Sequence, residues 1–432
     1  MEHWVRARRR ARFGPSVVGA MALLVALSGY AETPESAVAP PTVAAAVRDV
    51  WARNPAVQAA EARVAAAEAQ AQGASRPLYN PELELSAENA DVDTRSIGLS
   101  QQIDWSGKRR ARTTVAQAEL AVAEADRDDV RQRIALDWLR GYAAYQVASE
   151  QVTLGQERVE LLTQFASLAQ RRLRAGDIPS LERDLAELAL QEARAQQAEL
   201  VADQAKARQT LTGVGGRPGS LPVLPRAVPP AAVPKPEKLT DLPAIRRARA
   251  EVDASQGRVS VAERERRPDP TISVSTGRVT DGPLNDRLIG VTVRVPLFVR
   301  NSYRAEATAA RSTADAAESA FNDVQLRATA EVEQAAESYS ALREAWLGWE
   351  SSHAASAGDR AALLQRLWEA GELSTADYLV QLKQSLDTEL TAVGVRARVW
   401  QAWADWLAAS GELASWLGLD ADAAPTSKEI HR

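Results

Sequence analysis

Residues Ser96-Ile97-Gly98-Leu99-Ser100-Gln101-Gln102-Ile103-Asp104-Trp105 follow a period of two. The chain then runs through Ser106-Gly107-Lys108-Arg109-Arg110-Ala111-Arg112 into a stretch with no proline before Pro179. A period of two gives a strand with one apolar and one polar face. Beyond Gly107 the composition turns to Ala, Leu, Glu, Gln and Arg. Apolar residues recur at Val130, Ile134, Leu139, Tyr142, Tyr145, Val152, Val159, Leu162, Phe165, Leu168 and Leu173. Steps of three, four and seven predict one helix from about Gly107 to Ala175. At 1.5 Å per residue it spans roughly 100 Å, so it must pack on other long helices in a bundle or barrel.

Upstream, Glu82-Leu83-Glu84-Leu85-Ser86-Ala87-Glu88 alternates too, and Asp91 to Thr94 read as the turn of a hairpin. The whole order then recurs. Thr271-Ile272-Ser273-Val274-Ser275 and Ile289 to Leu297 make a second hairpin, with Thr280 to Asp286 as its turn. A second long helical pattern starts near Asn301. Helices open at Asn54-Pro55 and Leu242-Pro243 and end near Arg76-Pro77 and Arg267-Pro268. Each long helix breaks at a related motif, Arg172-Leu173-Arg174-Ala175-Gly176-Asp177-Ile178-Pro179-Ser180-Leu181-Glu182 and Arg366-Leu367-Trp368-Glu369-Ala370-Gly371-Glu372-Leu373-Ser374-Thr375-Ala376-Asp377. Return helices follow, from about Leu181 to Leu211 and Ala376 to Leu417. A tandem duplication accounts for this order. The repeats are 32–212 and 241–417, joined by a Pro/Gly-rich connection over 213–240 and followed by a polar tail over 418–432. Eight prolines from Gly213 to Pro243, counting Pro243 itself, leave no room there for a long helix or a central strand. Trp400, Trp403 and Trp406 recur every three residues on the last helix and read as a packed seam.

The 432 residues carry a net charge of −5, so no basic surplus drives nucleic-acid binding. Cysteine is absent and only three histidines occur, which excludes disulfides, cysteine-based metal sites and thiol chemistry. No cofactor or resident metal is expected. No phosphate loop or zinc-helix motif is present. His353 falls in a helical pattern and His431 in the tail, so no hydrolytic triad is legible and the chain does not read as an enzyme. Residues 1–31, with Arg6, Arg8, Arg9, Arg10 and Arg12 ahead of an apolar run from Val17 to Leu27, read as a cleaved signal peptide. Tyr30 stands where lipoprotein processing needs Cys, so no lipid anchor is expected.

The strands approach ten residues, the length that crosses a bilayer when tilted. Four strands cannot close a barrel, and an open edge is not tolerated in lipid. Three chains would supply twelve strands and room for a pore. If the apolar faces meet lipid, Glu82, Glu84, Glu88, Asp104 and Arg294 face the lumen, and Trp105 marks the membrane interface. The competing reading is a soluble β-cap on a periplasmic coiled-coil adaptor or scaffold protein.

The duplicated order resembles the TolC-type outer-membrane efflux proteins over nearly the whole mature chain. Asn80-Pro81-Glu82-Leu83, Glu88-Asn89 and Asp104 to Arg112 are similar to segments of its heavy-metal and cation efflux branch. The resemblance implies a mainly helical chain with β-structure: a homotrimer forming a long-helix α-barrel in the periplasm and a shared transmembrane β-barrel of twelve strands, four per chain, in the outer membrane. It implies an inner-membrane pump and a periplasmic adaptor as partners. By position it places Gly176, Asp177, Glu182, Gly371, Glu372 and Asp377 at adaptor-docking helix tips. Trp368, Leu373 and Asp377 fall at the periplasmic gate. The same residues also read as helix caps: Gly176 and Gly371 as C-terminal caps, Ser180 or Ser374 as N-caps, and Asp377 as a capping-box acid.

Overall fold

The computed structural model describes residues 39–419 apart from 90–91, 221–224, 226, 234–235, 282 and 354–356. The expected signal peptide and residues 420–432 of the expected tail lie outside the described residues. The first repeat runs α1 (Pro41–Arg53), α2 (Pro55–Ser75), β1 (Glu82–Asn89), β2 (Asp93–Gln102), α3 (Lys108–Ala175) and α4 (Ser180–Gly213). The second runs α5 (Pro243–Glu265), β3 (Thr271–Asp281), β4 (Leu284–Arg294), α6 (Arg304–His353), α7 (Ala357–Glu369), α8 (Thr375–Ala409) and the single turn α9 (Leu413–Trp416).

The 68-residue α3 forms the spine. Its first third buries alanines, Ala111, Ala116 and Ala125, which let α2 and α5 approach closely. Ion pairs fix the antiparallel order there: Arg258 to Glu119 at 2.5 Å, Arg246 to Asp128 at 2.6 Å and Arg131 to Glu61 at 2.9 Å. Farther along, α4 and α8 return beside α3. Gln197 donates to the Val152 carbonyl at 3.1 Å, Arg158 pairs with Asp387 at 2.9 Å, and Arg140 pairs with Asp405 at 2.7 Å. The apolar stripe of α3 is used unevenly. Leu139, Tyr142, Leu162 and Phe165 are buried, whereas Ile134, Tyr145, Val159 and Leu168 pack at the margins of the core.

The largest core lies at mid-length, where Trp138 and Tyr142 of α3 meet Val43, Val47 and Val50 of α1, Leu211, Tyr339, and Trp403 and Trp406 of α8. Trp403 and Trp406 stack at 4.8 Å, and Tyr339 lies 5.1 Å from Trp403, so the tryptophan repeat is a packed seam. One helix lies outside the expectations and one expectation needs correction here. Helix α1 was not foreseen, although Val43, Val47 and Val50 carry helical spacing. Leu419, assigned to the polar tail, is 1% exposed in this core. Among its described residues the 213–240 connection holds short 3₁₀ turns, and it is pinned to α6. Tyr339 donates its hydroxyl to the Pro229 carbonyl at 2.7 Å, and Arg343 donates to the same carbonyl at 3.0 Å.

The four strands form one antiparallel sheet in the order β1-β2-β3-β4, so the two hairpins of the duplication join through β2 and β3. The expected turn at Thr280–Asp286 is wrong: β3 continues to Asp281 and β4 begins at Leu284. Thr280, Asn285 and Asp286 have turn-like chemistry, but they pair across the ladder.

Candidate functional site

The register sorts every strand residue onto one of two faces. Leu85, Ile97, Thr276 and Ile289 form one cross-strand row, and Leu83, Leu99, Val274 and Val291 form the next. The opposite face carries Glu82, Glu84, Glu88, Ser96, Ser100, Ser273, Ser275, Thr292 and Arg294. Among the described residues no helix lies across either face. The apolar side chains are therefore bare: Leu85 is 74%, Ile289 77% and Val291 69% exposed. The polar residues of β2 and β3 are the shielded ones, with Ser100 at 3% and alternation along β3 from Thr271 to Val279. A sheet without a packed layer shields the face it curls around, so its polar face is concave and its apolar face convex.

Glycines permit that curl. A Cβ at Gly277 would sit 2.4 Å from the Arg95 carbonyl oxygen and 2.8 Å from Ser96 Cβ, so only a residue without one fits there. Gly98 and Gly290 share this concave face. The face carries charge of one dominant sign. Glu82, Glu84 and Glu88 are joined by Asp281 and Asp286, two residues of the expected turn that pair in the ladder, against Arg294. Strand parity would have found both once the tight turn was recognised.

The junction with the helices holds two of the singled-out residues. Asp104 is not a strand residue, because β2 ends at Gln102. Its carboxylate accepts the first free amides of α3, from Lys108 at 2.7 Å and Arg109 at 2.8 Å, and so caps a helix whose Gly107 has no side chain to do it. Trp105 lies just past the strand and is 73% exposed. Behind them Lys108 Nζ pairs with Asp269 Oδ2 at 3.0 Å, both almost fully buried. The Tyr79 hydroxyl donates to the same oxygen at 2.8 Å. This pair ties the first repeat to the second at the sheet's base.

The far end of α3 and the end of α7 carry matched turns. Gly176 (φ 84°) and Gly371 (φ 77°) take the left-handed conformation. Asp177 N–H donates to the Arg172 carbonyl at 2.9 Å, and Glu372 N–H to that of Leu367 at 3.0 Å. Gly176 and Gly371 N–H groups reach Leu173 and Trp368 at 3.0 Å. Both are Schellman closures. The next helices start differently. Ser374 accepts the Asp377 amide at 3.1 Å and donates its hydroxyl to the Asp377 carboxylate at 2.7 Å. Ser180 makes no cap; α4 begins after Pro179 without a side-chain cap.

Trp368 was expected at the gate, but it is 2% exposed and faces the interior of the tip. An indole this large is better buried: Phe165 lies at 4.5 Å, Tyr378 at 5.8 Å, and Arg172 covers the ring at 4.9 Å. Its Nε1–H donates to the Thr375 hydroxyl at 3.0 Å, which donates in turn to Glu182. Leu373 packs on the same cluster. Glu182 is therefore engaged between the tips, whereas Gly176, Asp177, Gly371, Glu372 and Asp377 are exposed. Burial holds the Tyr378 hydroxyl well above its ordinary range, to about 12, with Glu369 adding to the shift. Thr375 is the tip residue that the sequence reading missed; a threonine after a serine cap gives no signal of its own.

Among the described residues no three His, Cys, Asp or Glu side chains are grouped to hold a metal ion, and no helix is long and apolar enough to cross a membrane. Residues 46–217 and 237–412 match the family described as outer membrane efflux protein. The chain is 30% identical over 237 residues to the cobalt-zinc-cadmium resistance protein CzcC of Cupriavidus metallidurans, covering 52% of this chain and 56% of that one. It is 25% identical over 285 residues to the nickel-cobalt-cadmium resistance protein NccC of Alcaligenes xylosoxydans xylosoxydans, covering 63% and 64%. The matched stretch thus spans less than two thirds of either relative. The fold is similar to that of the CmeC outer membrane channel of Campylobacter jejuni, with a TM-score of 0.71 at 15% identity over 90% of this chain and 91% of that one.

Proposed function

The chain belongs to the outer membrane efflux protein family, and on that premise we propose that three copies close one twelve-stranded barrel in the outer membrane above a helical tunnel in the periplasm. This trimer is the exit channel of a tripartite efflux system. The observation that carries the reading is the sheet: polar and concave inside, apolar and bare outside, with β1 and β4 as unpaired edges. An open edge in lipid leaves backbone groups without partners, and a closed ring of copies removes it. The soluble scaffold reading leaves Leu85, Ile289 and Val291 in water with nothing to cover them.

The cargo is cationic, in keeping with the metal-resistance relatives. Per chain, five carboxylates against one guanidinium on the concave face favour cations in the lumen. The exposed tip groups Gly176, Asp177, Gly371 and Glu372 meet the periplasmic adaptor, which joins the channel to an inner-membrane pump. Asp377 repeats by threefold symmetry as an acidic ring at the entrance.

Light scattering of the purified protein in detergent, beside a detergent-free preparation, tests the assembly. About three chains per particle, soluble only with detergent, is the expected result. A monomer or dimer soluble without detergent overturns it. In planar bilayers the reversal potential under a salt gradient has the cation-selective sign, and Asp377→Asn moves it toward zero. An unchanged potential and conductance would remove Asp377 from the pathway.

A further inference from the structure

One row of the sheet breaks the pattern of its face. Arg95 pairs with Arg278, and Arg278 pairs with Arg287, so three guanidiniums stand side by side across β2, β3 and β4. Strand parity puts all three on the convex face, one row beyond Leu85, Ile97, Thr276 and Ile289, toward the hairpin turns. All three are exposed, and none has an ion pair among the described residues. Asp93 lies on the same face one row farther out, paired with Thr280, and likewise forms no ion pair there.

Like charges directly opposite one another destabilise a sheet. A lipid-facing arginine is also costly at mid-membrane and nearly neutral at the interface. A row of three therefore calls for an anion, and its position at the edge of the apolar belt says where the anion lies. Strands are about 4.8 Å apart, so the row spans roughly 10 Å with planar donor forks along it. Such forks match the tetrahedral oxygens of phosphate. Among the described strand carboxylates Asp93 alone shares the face, one charge beside three; Glu82, Glu84, Glu88, Asp281 and Asp286 lie on the concave face.

We propose that Arg95, Arg278 and Arg287 form a binding ladder for the phosphate groups of phosphorylated glycolipid in the outer leaflet. Each trimer carries three such ladders around its outer rim. The inference rests on the channel reading, because it needs the convex face in lipid. It adds a specific lipid contact that seats the barrel at a fixed depth.

The test uses the full-length mature trimer in neutral detergent micelles, with bisphosphorylated lipid A and its dephosphorylated form as probes. Bound lipid is counted by native mass spectrometry. The wild type is expected to retain the phosphorylated lipid in preference to the other. Each Arg→Gln change weakens that binding about fivefold, and the triple change abolishes the preference. The corresponding triple Arg→Lys variant keeps a reduced preference and guards against misfolding. Trimer mass and heat-sensitive electrophoretic mobility stay unchanged in all of them; loss of these in the wild type would sink the channel reading instead. No phosphate preference in the wild type, or full preference in the triple Arg→Gln variant, overturns the ladder. Complete displacement by excess inorganic phosphate would show a small-anion site and overturn the lipid assignment.

Discussion

The Thr375 hydroxyl donates to the Glu182 carboxylate and so joins the tip of the second repeat to that of the first. The same oxygen accepts the buried Trp368 Nε1–H at 3.0 Å. One hydroxyl thus satisfies an indole that has no water to turn to and holds an acid that would otherwise be free.

Thr375→Val keeps the shape and deletes both bonds. Leaving a buried donor unpaired costs about 1–3 kcal/mol. The expected result is faster hydrogen exchange at the Thr375, Ala376 and Asp377 amides, with little change in α3 near mid-length. Thr375→Ser should restore most of the protection. Equal exchange in wild type and Thr375→Val would show that the aromatic cluster alone holds the tip.

At the other end, Lys108 and Asp269 are buried together at 3.0 Å. Removing one partner leaves an uncompensated charge, which costs about 3–5 kcal/mol. Asp269→Ala should therefore lower thermal stability sharply. The double change Lys108→Met with Asp269→Leu should recover much of it, since well-packed apolar pairs replace buried ion pairs at little cost. Thermal melts of the trimer in detergent read both. A double variant as weak as the single would mean that the Tyr79 hydrogen bond to Asp269 carries the junction.

Much of this architecture is legible in the sequence because period two and period 3.6 are strong signals over long runs. The 68-residue α3, the duplicated tips and the two faces of the strands follow from them. The residues that sit elsewhere than their sequence suggests share one cause: each is placed by a partner that its own chemistry does not reveal. Asp104 has the alternation of a strand residue, but free helix amides four and five residues on claim it. Asn285 and Asp286 look like turn residues, yet at the outer end of a sheet polar residues go on pairing. The resemblance puts Trp368 at a gate, while its size sends it inward. Helix α1 was hidden by its start at Pro40-Pro41, and its valines meet their partners only across the mid-length core.

The curl of the sheet makes its own prediction. A methyl at Gly277 meets the Arg95 carbonyl oxygen at 2.4 Å, backbone that cannot swing aside. At Gly290 the contact is the Ser275 Oγ at 2.9 Å, the end of a side chain that can rotate. Gly277→Ala should cost about 1–3 kcal/mol and reduce the yield of heat-sensitive trimer in membranes, whereas Gly290→Ala should be nearly silent. Equal yields would mean that β2 and β3 separate more easily than their backbone contact implies.

Tyr378 supplies a pH dependence with a fixed sign. Its hydroxyl is held to about 12, first by burial and then by the Glu369 charge. The folded state therefore keeps the proton more tightly than the unfolded chain, whose phenol titrates near 10. That contribution is complete below pH 10 and is lost as the pH rises from 10 toward 12. The tip cluster of Phe165, Trp368 and Tyr378 should loosen over that window, seen as a red shift of Trp368 fluorescence against a reference variant lacking that indole. Tyr378→Phe should leave stability at neutral pH nearly unchanged, because the ring still stacks on Phe165, and it should flatten the alkaline transition. If both proteins loosen along the same alkaline curve, the transition belongs to the other buried phenols, Tyr142 and Tyr339, in the mid-length core, and the tips open only after that core has yielded.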